Sequence, residues 1–126
     1  MVDTIYDNNN VFAKILRGEI PCDKVYEDDF AVAFPDLNPK AKTHILVIPK
    51  GDYTDLYDFI EKAPADFQVG FWAAVRATAK KFGIEKQVMT LANTGAPVQS
   101  VFHFHIHLLA PVPFILEKRI AAGDPA

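Results

Sequence analysis

Three of the chain's four histidines stand at alternate positions, in Ser100-Val101-Phe102-His103-Phe104-His105-Ile106-His107-Leu108-Leu109. Side chains of an extended strand alternate between faces, so His103, His105 and His107 share one side while Phe102, Phe104, Ile106 and Leu108 share the other. The aromatic and aliphatic side has an evident home in a core. That leaves a row of imidazoles spaced about 6.6 Å apart. Three chemistries compete for such a row. Imidazole is the commonest zinc ligand, and an i, i+2 pair on a strand can reach one ion. All three cannot, because His103 and His107 would stand about 13 Å apart while Zn–N bonds are only about 2.0–2.1 Å long. A third ligand would have to be His44 or a carboxylate, and no spacing recommends one. A second reading is structural, with half-buried histidines in a polar network; three on one face, backed by an apolar face, make it the weakest.

The third reading is nucleophilic catalysis at phosphorus. A neutral imidazole nitrogen is a good nucleophile, and its phosphoryl adduct is labile enough to be hydrolysed in a second step. A hydrogen bond that fixes the proton on one nitrogen leaves the other lone pair aimed at a substrate. Neighbouring imidazoles, protonated or donating, can neutralise phosphoryl charge and protonate a leaving group. With unperturbed values near about 6.5, the set would divide acid and base roles close to neutral pH. The pattern favours this reading, with His105 attacking and His103 and His107 assisting, and it leaves zinc open.

Five strands and three helices must position this row. Asn10 can cap a short helix whose Val11, Phe12, Ile15 and Leu16 form an apolar stripe, with Gly18 as its stop. Val25-Tyr26-Glu27 and Phe30-Ala31-Val32-Ala33-Phe34 flank Asp28-Asp29 as a β-hairpin. Pro35-Asp36-Leu37-Asn38-Pro39 is a turn cluster, and His44 to Pro49 is a third strand apolar enough to lie centrally. Thr54 can cap a short helix through Ile60. Pro64, at a first-turn position, opens a longer helix to Phe82 that Gly83 closes, and its Phe67, Phe71 and Val75 recur every four residues as a sheet-facing stripe. Gln87 to Ala92 is a fourth strand, Asn93 to Pro97 a loop, and Val101 to Leu109 the fifth strand. Strands with helices packed mainly on one face give an α+β domain on a largely antiparallel five-stranded sheet, with one long and two short helices.

Bulk properties narrow the partners. The 126 residues read as one domain, 1–126, with half the residues apolar and 23% charged. A net charge of −3 weakens any reading as a nucleic-acid polymer binder, whose affinity comes from clustered Lys and Arg. It does not weaken a pocket for one nucleotide; Lys14, Arg17, Lys40, Lys42 and Lys50 read as solvated surface. Cys22 is the single cysteine, so no internal disulfide or cysteine-based zinc site is expected. No apolar run approaches the length of a membrane span and no secretion signal is legible, so no membrane partner and a cytoplasmic location are expected.

The segment His103-Phe104-His105-Ile106-His107-Leu108-Leu109 resembles the signature of the histidine triad family, His-φ-His-φ-His-φ-φ with φ apolar. Phe12-Ala13-Lys14-Ile15-Leu16-Arg17-Gly18-Glu19-Ile20-Pro21 and Phe34-Pro35-Asp36-Leu37-Asn38-Pro39, followed by Thr43 to Lys50, resemble the opening and middle of its nucleotide-binding branch. The resemblance implies a homodimer of α+β subunits that binds an AMP-like purine nucleotide and cleaves phosphoramidates or dinucleoside polyphosphates at the α-phosphate, with no cofactor and no metal. His105 would form a nucleotidyl-histidine, His103 and His107 would hold and polarise the site, and His44 would support them. Asp36 would accept from ribose hydroxyls with Leu37 beside the base, and Phe12 and Ile15 would form the base slot. Asn93, Gln99 and Ser100 would bind phosphate and leaving group.

The chain also departs from that pattern. The Asn93–Gln99 loop is one residue shorter than the common form, and Val98 replaces a glycine, adding a branched side chain where backbone would approach a ligand. Ala110-Pro111-Val112 replaces a glycine-rich turn, and the tail from Phe114 onward ends in a polar, helix-like stretch that does not align with the pattern. Besides a hydrolase or transferase, the sequence therefore also accommodates a nucleotide-sensing module with little turnover.

Overall fold

The computed structural model describes residues 5–111, so the tail expected from Phe114 onward, and Val112, lie outside the described residues. The elements in chain order are α1 (Val11–Leu16), β1 (Tyr26–Glu27), β2 (Ala31–Pro35), β3 (Thr43–Pro49), α2 (Leu56–Lys62), α3 (Ala65–Lys81), β4 (Met89–Leu91) and β5 (Ile106–Ala110). The sheet order is β1-β2-β3-β5-β4, and every neighbouring pair is antiparallel. The architecture is the expected α+β one. Among the described residues, no helix is long and apolar enough to cross a membrane.

Local chemistry explains most boundaries. The Asn10 side chain accepts from the Ala13 amide at 2.9 Å and starts α1, and Gly18, at φ 77°, takes the left-handed turn that follows it. The cap of α2 is Asp55 rather than the expected Thr54: Asp55 accepts from the Asp58 amide while Asp58 accepts from the Thr54 amide, a reciprocal arrangement that a charged oxygen serves better. Pro64 is the cap residue of α3, one position ahead of its first turn.

Alternation sorts the strands onto two faces. Ala31, Ala33, Ile45, Val47, Ile106 and Leu108 face α2 and α3, where they pack with Phe59, Phe71 and Phe104. Val32, Phe34, Leu46 and Ile48 face α1 and its Phe12 and Ile15. Two helices thus cover one face, and the third lies on the other, the face that carries the histidines.

The largest correction concerns the fifth strand, which begins at Ile106 and not at Val101. The β3–β5 register ends with Val47 opposite Ile106, so two more residues would set Pro49 against Phe104. Proline has no N–H to extend a ladder. The Phe104 amide instead donates to the Tyr53 carbonyl at 2.7 Å, and Val101 to His103 form a bend. Phe102 consequently leaves the core and is partly exposed, whereas Phe104 keeps its expected place at 1% exposure. Similarly β4 is shorter than expected, because the Gln87 amide closes a turn onto Ile84.

Candidate active site

The three imidazoles still lie on the α1 face, although only His107 belongs to β5. The rings of His105 and His107 are 5.0 Å apart, and Phe12 meets both His103 and His105 edge-on. Hydrogen bonds to groups with only one possible role assign each ring's proton. His105 Nδ1 lies 2.7 Å from the His103 carbonyl, which can only accept, so Nδ1 carries the proton and the Nε2 lone pair is bare. His103 Nε2 donates to the Pro49 carbonyl at 3.0 Å, and its Nδ1 accepts from the Tyr6 hydroxyl. His44 Nδ1 accepts from the Lys40 amide at 3.0 Å, so the proton on its Nε2 is donated to His107 Nδ1 at 2.9 Å. His107 is left with a protonated Nε2. That atom is buried and has no partner among the described residues. A buried unpartnered donor costs about 1–3 kcal/mol, which an acceptor on a ligand would recover.

Burial corrects the expected acid–base division. It pushes His103 and His107 down to about 4, opposed in His103 by the Pro49 hydrogen bond and in His107 by the charge of Asp36. Burial likewise lowers His105 against the His103 carbonyl and Asp36, and lowers His44 against Asp36. At neutral pH the four rings are neutral: His105 offers a lone pair and His107 an N–H, and no imidazolium is needed to assign the roles.

The row opens into a cavity of about 510 Å³, within the range that small-molecule sites occupy. Phe12, Ile15, Phe34 and Leu46 form its apolar wall, while His105, His107, Ser100 and Asp36 supply polar groups. A second, more open cavity of about 460 Å³ adjoins it across Asp36, Asn38, Ser100 and His107 and reaches Lys40, Asn93 and Leu109. Phe12 and Ile15 are therefore core and cavity wall at once, each 7% exposed. Leu37 stands at the cavity rim, 95% exposed.

Other expected site residues are placed less directly. Asp36 accepts from the Asn38 amide with Oδ1 and sets Oδ2 3.4 Å from His44 Nε2, so it holds its own turn as well as facing the histidines. Asn93 lines only the second cavity. Gln99, expected among the phosphate and leaving-group contacts, is 4% exposed and commits its amide to the backbone. It accepts from Gly95 N–H and donates to the carbonyls of Thr54 and Val101, so it anchors the loop rather than lining either cavity. Val98 is 61% exposed and lines neither cavity. Two contributors were not legible: the Tyr6 hydroxyl, 97 residues from its partner, and the Lys40 amide, which has no side-chain signature.

The structure does assemble a potential ligand set that no spacing recommended. Asp36, His44 and His107 bring one ligand atom each within 4.8 Å of one another. A metal on His44 Nε2 requires that lone pair free and the proton on Nδ1. Nδ1 faces the Lys40 N–H, so the ring would then oppose one donor with another. These residues do not fit a resident metal.

Comparison with known proteins agrees with this architecture. The model of the family described as HIT domain matches residues 17–113. An uncharacterised 13.2 kDa HIT-like protein of Azospirillum brasilense is 51% identical over 107 residues, spanning 83% of this chain and 88% of that one. A protein of Zea mays named 14 kDa zinc-binding protein is 40% identical over 106 residues, 82% of each chain. The solved structure of a HIT family hydrolase from Clostridium thermocellum superposes with a TM-score of 0.74 at 35% identity, covering 84% of this chain and 93% of the other.

Proposed function

This chain belongs to the HIT domain family, and we propose that it is a hydrolase or transferase that cleaves a purine nucleotide substrate at the α-phosphate through a covalent nucleotidyl-His105. One observation carries the reading: within the triad, only His105 turns an unprotonated nitrogen, free of any hydrogen bond among the described residues, to the cavity. The named hydrolase among the similar structures supports the reaction class.

In the first step the His105 Nε2 lone pair forms a bond to phosphorus as the bond to the leaving group breaks. The departing nitrogen or oxygen takes a proton relayed from solvent through the Ser100 hydroxyl at the cavity. The His107 N–H, unpartnered among the described residues, donates to a phosphoryl oxygen, and its interaction strengthens as negative charge accumulates there. Water then attacks the same phosphorus, the P–N bond breaks, the electron pair returns to Nε2, and the proton displaced from the water leaves to solvent by the same route. The apolar wall of Phe12, Ile15, Phe34 and Leu46 suits a planar base, with Asp36 and Leu37 at its ribose end. We further propose a cytoplasmic homodimer without nucleic-acid polymer or membrane partners; Val69 and Trp72, one turn apart on α3 and 71% and 38% exposed, offer it apolar surface.

Calorimetry with AMP, GMP and CMP, paired with turnover of adenosine phosphoramidate and diadenosine polyphosphate, tests the assignment. Purine monophosphate binding together with release of AMP supports it. Failure of every substrate to turn over would refute the enzymatic reading.

A further inference from the structure

Tyr6 precedes every element of the fold and lies outside the matched family region, yet its hydroxyl sits 2.5 Å from His103 Nδ1 and its ring meets the imidazole edge-on at 5.6 Å. The placement is built. Asn10, which caps α1, also donates its side-chain amide to the Asp7 carbonyl at 2.7 Å, and Arg17 donates to the Asn8 carbonyl, so α1 ties down the segment on which Tyr6 rides.

His103 is completely buried. Both ring nitrogens and the adjoining peptide group are engaged: Nε2 on the Pro49 carbonyl, Nδ1 on Tyr6, its own carbonyl on the His105 ring, and the next amide on Tyr53. Because Nε2 faces a carbonyl, Nδ1 must be the lone pair, and among the described residues Tyr6 is its donor. A hydrogen bond donated to a neutral lone pair disfavours protonating it. Burial raises the phenol's own pKa, so it stays a donor.

We propose that Tyr6 is a positioning residue for the reaction: its hydroxyl holds the first triad histidine's ring fixed behind the nucleophile and opposes protonation of its Nδ1. The inference rests on His105 as nucleophile. A charge on His103 would lie beside His105 and oppose any positive charge developing on that ring during attack. The groups that face this pair are few. His103 meets the Pro49 carbonyl from β3, Phe12 from α1 and His105 from its own segment; Tyr6 meets Asn10, Asp52, Arg17 and Asp7.

The test is Tyr6→Phe, which keeps the ring and removes the hydroxyl, read in two ways. Imidazole nitrogen NMR across pH, without substrate, should show wild-type His103 neutral with its proton on Nε2 down to about pH 5, and a titration moved up by about one unit in the variant. Steady-state kinetics should show kcat lowered about fivefold to tenfold with KM changed less than about twofold, and an acid limb displaced toward neutral pH. An unchanged His103 titration overturns the proposal whatever the kinetics, and a shifted titration with unchanged kcat overturns the positioning role. Because the titration needs no substrate, its failure is separable from failure of the catalytic reading, which His105→Ala reports in the same assay.

Discussion

Phe104 and His105 are adjacent, nearly equally buried at 1% and 6%, and belong to two different worlds. Phe104 points to the α2–α3 side, with ring contacts to Phe59 at 4.9 Å and Phe71 at 5.3 Å. Burial there removes apolar surface from water and leaves nothing unpaired. His105 points to the α1 side, where burial strips water from a polar ring and the backbone must supply the replacement bond. The same loss of solvent stabilises one face and tunes the other. On the helix face it yields packing energy; on the histidine face it lowers the rings' pKa values and, with single-role partners, decides which nitrogen keeps a lone pair and which carries the proton.

Substituting those neighbours one at a time separates the two roles most strongly. His105→Ala is expected to lower kcat by about three decades or more while calorimetric AMP binding persists. Phe104→Ala is expected to cost about 3–5 kcal/mol in urea unfolding, and the folded fraction should keep its turnover per site. Equal losses of stability in both variants would dissolve the contrast between the faces.

The contrast extends to pH. His103 and His107 titrate near 4 in the folded chain and near about 6.5 when unfolded. Over that window the unfolded state binds more protons, so folding stability should fall as pH drops from about 6.5 toward 4, and flatten below. Chemical denaturation at a series of pH values checks the sign, and His103→Gln should reduce the slope. Last and smallest is Val98→Gly: since the side chain is 61% exposed and lines neither cavity, kcat/KM is expected to change less than about twofold.

Much of this was readable from residues whose signals are local. Asn10 and Gly18 bracket α1, and the alternation through Phe104, Ile106 and Leu108 predicted both the core side and the histidine side. Where the strand began was not readable, because the residue that ends the ladder is Pro49, on another strand, and register is a pairwise property. Gln99 precedes the histidines as a phosphate contact would, yet its amide is claimed by three backbone groups that only the folded loop brings near. Tyr6 and the Lys40 amide set proton positions from a distance, one with a common residue type and the other with backbone alone. The expected acid–base division failed for a related reason: burial depth is a tertiary quantity, and it decides the charge of an imidazole.

The central claim is that the bare Nε2 of His105 forms a bond to phosphorus. Rapid acid-free quenching of the protein with an adenosine phosphoramidate, followed by intact and peptide mass spectrometry, measures it directly. The account predicts an adenylyl group on the peptide containing His105, absent in His105→Ala and discharged on incubation in water. Turnover with no adduct on wild-type protein, or an adduct that survives His105→Ala, would contradict it.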